Sequence, residues 1–499
     1  MHTSRRAQAT ACLAWLALLT LGRVLQAQES QAETVRTLQT EVQQLREEMQ
    51  AQRRLFEQQV AALEARITQL ATAAAAAPSA PARVLSEAPV RAAPTAAAAT
   101  DLSGASGRLR AAVQSLNPDV SAIIDTYAHA DNAHGGIGHV TGEMSGFGHS
   151  HGDGEHHHHG VEEGINLRHV ELQLSAEIDP YFKGSVIAAV DEDGAELETA
   201  EMETTALPWG LKLRGGKFYS DFGYLNAKHS HEWDFVDQPL VYQLLLGSHG
   251  LNDKGLQLTW LVPTPFYLLA GAEVFQGDNE LMYAYHGEEP LPGHDGPRLG
   301  VGWLKFGPNL PGNHGLQFGL FAATGTHQEE HDGNGDGSAD HWFDGDSTFW
   351  GGDVVYKYNA SQPYGQGDVT VQAEYFRRRK DLELVAHDLF PALVGNDRID
   401  TQDGYYVQAV YGFLPRWRFG LRWEQVGLTN ETDYPDGSSA SYGASWRLGP
   451  MLDWSLSEFS RLRLQFNRGS YLTEDGREDV NEIMLQWTVS LGAHGAHAF

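Results

Sequence analysis

Cysteine is almost absent from this chain, and its one occurrence, Cys12, lies in the apolar stretch ACLAWLALLTLG near the start. Arg5 and Arg6 precede that stretch, which is short for a bilayer span and is followed by LQA at 25–27. Residues 1–27 therefore read as a secretory signal peptide cut near Ala27. The mature chain then carries no thiol, which excludes disulfides, thiolate zinc sites and cysteine nucleophiles together. Positive charge is scarce as well. Lys and Arg number 35 against 65 Asp and Glu, a formal net charge of -30. That leaves no basic excess to neutralise phosphates, so a nucleic-acid partner is excluded and a cationic ligand is the better match. After the leader there is no apolar run long enough for a spanning helix, so a membrane-embedded form has to be a barrel. Ser, His and Asp residues are scattered without a nucleophile elbow or a defined pair of carboxylates, and an enzyme is not expected.

The first mature segment, residues 28–72, has a texture of its own. Val35, Leu38, Val42, Leu45 and Met49 keep the spacing of a coiled-coil seam with Glu, Gln and Arg between them. After Phe56 the seam resumes out of phase at Val60, Leu63, Ile67 and Leu70, the insertion that locally unwinds a supercoil. A seam of this length needs a partner, so a homo-oligomer is expected, most simply a trimer. Residues 73–117 form an Ala/Pro-rich linker that cannot build a core. The coiled coil is expected in the periplasm, where cell-wall contact would make it a tether.

From residue 118 to 499 the pattern turns to alternation. RWRFGLRWE sets Trp417, Phe419, Leu421 and Trp423 on one face and Arg416, Arg418, Arg422 and Glu424 on the other. Leu462, Leu464 and Phe466 oppose Arg461, Arg463, Gln465 and Asn467 in the same way. Ile483, Leu485, Trp487, Val489 and Leu491 repeat it against Gln486, Thr488 and Ser490. Lipid outside and water inside is the environment that asks for such strands. Long polar links at about 129–164, 221–252, 276–297, 325–346, 380–402 and 428–438 alternate with short ones, counting the DEDG and EDGRED turns on the long side. The expected fold is an all-β membrane protein, an antiparallel transmembrane β-barrel of about sixteen strands in the outer membrane of a Gram-negative bacterium. The aromatic last residue, Phe499, resembles the assembly signal of such barrels.

Between the first two strands lies HSHGDGEHHHHGVEE, with His129, His134 and His139 before it. His149, His151, His156, His157, His158 and His159 are candidate ligands for zinc or a related ion, because clustered imidazole without thiolate favours an exchangeable site. His169, with Glu171 two residues on, falls on the inward face of the second strand. HDGNGDGSADHWFDGD places Asp332, Asn334, Asp336 and Asp340 at ligand positions of a calcium loop. Its twelfth position is Phe343, so a bidentate ligand requires Asp344 to move in.

The segment GKFYSDFGYLNAKHSHEWDFVDQPLVYQLLLG at 216–247 carries a family resemblance, with NPDVSAIIDTYA, LQLTWLVPTPFYLLAGAEVFQG and the ending SLGAHGAHAF. Together they resemble proteobacterial outer-membrane proteins labelled zinc-regulated TonB-dependent outer-membrane receptors. Porin-like siderophore channels with an N-terminal coiled coil are a more distant likeness. The resemblance implies zinc acquisition. In that frame the long link holding His229, His231, Asp234 and Asp237 is expected to fold inward as a constriction and bind metal. Lys212, Arg214, Arg416, Arg418, Arg422, Arg461 and Arg463 face inward by alternation, and such a basic wall would favour anions or an anionic chelate. The expected function is uptake of zinc or a zinc complex, with a siderophore or anion porin as the alternative.

Overall fold

A computed structural model describes residues 119–147, 163–192, 194–277, 279, 281–332 and 338–492. The expected signal peptide, coiled coil and linker, and the histidine run from His149 to His159, lie outside the described residues. Among the described residues seventeen strands form one antiparallel sheet. They are β1 (Asp119–Asp131), β2 (Gly164–Glu177), β3 (Phe182–Val190), β4 (Ala195–Thr204), β5 (Leu211–Tyr219), β6 (Asn252–Leu261), β7 (Tyr267–Phe275), β8 (Leu299–Gly307) and β9 (His314–His331). Then come β10 (His341–Tyr358), β11 (Val369–His387), β12 (Asp397–Leu414), β13 (Trp417–Asp433), β14 (Ser439–Ser441), β15 (Ser445–Ser457), β16 (Ser460–Thr473) and β17 (Gly476–Gly492).

Apart from the short β14, each strand pairs with the next, and β1 pairs with β17 from Ser121↔Gly492 to Asp131↔Glu482, closing the sheet. The three-residue β14 only flanks the end of β13 at Glu431–Asp433, while β13 pairs with β15 along Trp417–Val426. Sixteen strands therefore make the wall. That is porin size, against about 22 for plugged outer-membrane transporters. The side-chain period of two explains the closure: Phe419, Leu421, Trp423, Leu464, Phe466, Ile483, Leu485 and Trp487 are exposed on the outside, while Arg422, Arg463, Gln465 and Gln486 are buried inside. This is the fold of an outer-membrane β-barrel.

The wall is uneven in height. Strands β2 to β8 have 9 to 14 residues and β9 to β13 have 17 to 19. Since β8 pairs only with Phe318–Gly325 of β9, the end of β9 from Thr326 to His331 projects past its neighbour on the long-link side. The links expected at 325–346 and 380–402 are accordingly much shorter, because their flanks continue as strand.

The interior corrects a second expectation. The lumen is not simply wet: its long-link half holds an apolar cluster built from inward wall residues and the links themselves. Phe222, on the β5–β6 link, inserts among Phe321, Phe349 and Phe376 of β9, β10 and β11, with ring centroids 4.4, 6.3 and 5.6 Å away. Two short helices join it, α1 (Ile137–Gly142) and α2 (Leu240–Leu245). Five side chains of α2 are buried, each worth roughly 1.5–3 kcal/mol of apolar burial for those that are fully apolar. Gly404 of β12 permits this approach, since a Cβ there would stand 2.9 Å from Val241.

Candidate metal centre on an infolded loop

The β5–β6 link, residues 220–251, runs into the barrel from a closed neck. Asn226 donates from Nδ2 to the carbonyls of Ser220 and Leu251 at 2.9 and 3.0 Å, and its Oδ1 accepts the Leu251 amide at 2.7 Å. Gly223 takes φ +74, and any Cβ would collide with Glu374, whose carboxylate accepts the amides of Tyr224 and Leu225 at 2.8 and 3.0 Å. The link is thereby tied to β11 before it crosses the lumen.

On the far side it meets arginines. Arg463 donates to the Trp233 carbonyl at 2.7 Å, Arg168 to Val236 at 2.7 Å, Arg422 to Asp237 at 2.8 Å and Arg447 to Gln238 at 2.7 Å. Arg461 donates to the carbonyl of His231. Side chains complete the clamp. Asp234 pairs with Arg418 at 2.9 Å, and Asp237 takes Arg422 and Arg447 at 2.5 and 2.8 Å together with Gln465 and Asn467. Burial alone would raise the Asp237 carboxyl, but the guanidiniums of Arg422 and Arg447 outweigh it and hold it down at about 2.

These contacts revise the sequence reading at several residues. Asp234 and Asp237 serve as counter-ions for arginine and stand apart from the histidines. The inward arginines are matched by Asp234, Asp237, Glu424 and Asp453, so the wall is far less basic than alternation implied. Arg416 is not in the lumen at all. It sits exposed in the β12–β13 turn, stacked over Tyr364 with 4.5 Å to the ring centroid.

The clamp sets the histidines against β2 and β4. His229 Nδ1 lies 3.1 Å from Glu198 and 3.4 Å from Glu171, and His231 Nδ1 lies 3.1 Å from Glu171. The two imidazoles stack with centroids 5.9 Å apart, and His169 Nε2 is 3.3 Å from Ser230 Oγ. Ligand atoms of Glu171, Glu198 and His229 all fall within 4.8 Å of one another, a spacing that can close on one ion. Burial opposes protonation of His229, yet Glu171 and Glu198 prevail and push it up to about 10.

Of the candidate residues, His169, His229 and His231 are thus brought together. Glu198 was missed, and alternation hides it: the β3–β4 register slips between Ile187 and Ala188, so Glu198 and Thr199 are buried in succession. At the calcium-like loop, Asn334 and Asp336 lie outside the described residues. Phe343 is buried with Leu382 and Leu384, and Asp344 is engaged by His294 and Gln328, each at 2.8 Å, so it does not supply the missing ligand. Asp340 lies against His341.

No protein-family model matches the chain. Among solved structures, OmpT, an outer membrane protein of Vibrio cholerae in trimer form, is 12% identical over 75% of this chain and 99% of its own, with a TM-score of 0.46. The outer membrane channel DcaP of Acinetobacter baumannii is 13% identical over 75% and 97%, with a TM-score of 0.46. An anion-selective porin from Comamonas acidovorans is 11% identical over 75% and 99%, with a TM-score of 0.43. Closer in sequence is an uncharacterized protein of Aquifex aeolicus (strain VF5), 36% identical over 364 residues, or 70% of this chain and 73% of that protein. At that identity and coverage, the chain belongs to the family of the Aquifex protein.

Proposed function

We propose that the protein is a porin-like outer-membrane channel for zinc or a zinc complex. The clamped β5–β6 link is its constriction, and Glu171, Glu198 and His229 are the metal-binding face of that constriction. One observation carries the reading: a link held inside the barrel by arginines presents its histidines to two buried carboxylates of β2 and β4. Mixed imidazole and carboxylate ligands suit zinc, and three protein ligands leave a position open for exchange. The pairing of the inward arginines favours a cation over an anion, because few guanidiniums are left to attract one. The histidines from His149 to His159 would gather the ion outside. Self-association through residues 28–72 belongs to the same reading and rests on the heptad seam alone.

The test is a planar-bilayer recording of the purified chain in potassium chloride with added zinc chloride. Zinc is expected to slow the current of the native protein, and H229A combined with E198Q to abolish that effect while leaving the zinc-free conductance in place. Equal zinc block in both proteins would overturn the assignment.

A further inference from the structure

A second cluster of ligand-type side chains lies on the tall wall, away from the infolded loop. Register sets three histidines side by side on three strands: His341 of β10 faces His331 of β9 on one side and His387 of β11 on the other. Their rings stack, with centroids 5.1 Å apart for His331 and His341 and 5.0 Å for His341 and His387. The buried Asp340 precedes His341 and reaches its Nδ1 at 2.5 Å. Ligand atoms of Asp340, His341 and His387 lie within 4.8 Å of one another.

We propose that Asp340, His341 and His387 form a second site, for a divalent transition-metal ion of the zinc, nickel and copper class, on the outward-projecting rim of the barrel. Two imidazoles and one carboxylate are a ligand set for such ions, and a three-ligand set keeps a position open, as an exchanging site requires. The rings are oriented before any ion arrives. Phe343 meets His341 and His331 edge-on at 5.6 and 5.4 Å, and Phe390 meets His387 edge-on at 5.1 Å. β10 pairs with β9 along all eighteen of its residues without a shift, and His341 pairs with His387 of β11 beyond a bulge at Trp342/Phe343, so both imidazoles stand on paired strand with Asp340 just before it. Nearby cations have counter-ions of their own: Lys380 pairs with Glu329, and Arg398 with Asp400 at 3.1 Å. His331 is held by Glu329 at 2.9 Å and acts as the stacking support.

The rim site shares no residue with the inner cluster on β2, β4 and the β5–β6 link, and stands whether or not that cluster holds an ion. Its place follows from the fold, since β9 projects beyond β8 and long links face outside in bacterial barrels. An ion bound there meets the external solution before it meets the lumen.

The experiment uses the full chain in detergent with two other metal sources removed: His149, His151 and His156 to His159 changed to Ser, and H229A with E198Q. Cobalt chloride is titrated by visible absorbance, and zinc chloride is then used to displace it. One cobalt per chain with ligand-field bands is expected, and H341A or H387A should weaken binding by more than about tenfold. Gel-shift heat modifiability confirms that each variant barrel is folded, and H387Q serves as a conservative check of the same ligand. No cobalt binding in the background protein would overturn the proposal, as would binding unchanged by both H341A and H387A.

Discussion

The infolded loop makes two kinds of contact with the barrel wall, and they are built differently. On β13, β15 and β16 the wall supplies guanidiniums and the loop supplies carboxylates and carbonyls; nearly every donor is used, and Asp237 alone answers two arginines and two amides. At Glu171 of β2 and Glu198 of β4 the wall supplies carboxylates and the loop supplies imidazoles, groups that exchange a proton for a metal ion without rebuilding the fold, although Arg168 of β2 also grips the loop at Val236. The first contact is a clamp, and the second has the chemistry of the proposed metal site. A buried ion pair is costly to break from one side, because the abandoned charge stays in a poor solvent, whereas a His–carboxylate contact has other ways to be satisfied.

The sharpest way to break this comparison is D237A. It leaves Arg422 and Arg447 buried with one fewer partner each, and the loop should lose roughly 3–5 kcal/mol of docking free energy. Single-channel conductance should rise, and protease should cut within 220–251; an unchanged channel with an uncut loop would deny the clamp its role.

A smaller effect follows from protonation at the other contact. The folded-state pKa of His229, about 10, lies above its ordinary value of 6.5, because Glu171 and Glu198 outweigh burial. Its contribution to metal-free stability is therefore complete below pH 6.5, declines above it, and is gone once pH passes about 10, at no more than about 1.4 kcal/mol per pH unit. Zinc must displace that proton, so apparent zinc affinity at this cluster should climb across the same window. Urea unfolding in chelator at pH 6, 8 and 10, native protein against H229A, measures the difference. A gap between the two proteins that does not narrow with pH would remove the ionic contact from the account.

Least of all should come from D234N. Arg418 retains Asp453 at 3.0 Å, so about 1 kcal/mol is expected, with conductance unchanged within error. A loss as large as that of D237A would mean that the clamp acts as one unit.

Much of this architecture is legible in the chain. The alternation in 417–424, 461–467 and 483–491 places apolar residues toward lipid by the period of two alone, and the alternation of long and short links gives the strand number. His169 and Glu171 read correctly as inward for the same reason. Glu198 does not, because a single bulge shifts the phase of β4. Asp234 and Asp237 look like ligands beside two histidines, and only their meeting with arginines some 180 to 210 positions away turns them into counter-ions. The rim cluster is hidden in another way: His331, His341 and His387 are unremarkable until the register of three strands sets them abreast.

What the sequence by itself determined, then, is the period: which side of each strand is apolar, how many strands there are, and that no apolar run from residue 28 onward is long enough for a spanning helix. These are properties of a residue and its near neighbours. Which charges cancel, which imidazoles meet carboxylates and which half of the lumen fills with phenylalanine were decided only when the sheet closed. Those contacts join residues far apart in the chain, and their energies depend on the burial that closure creates.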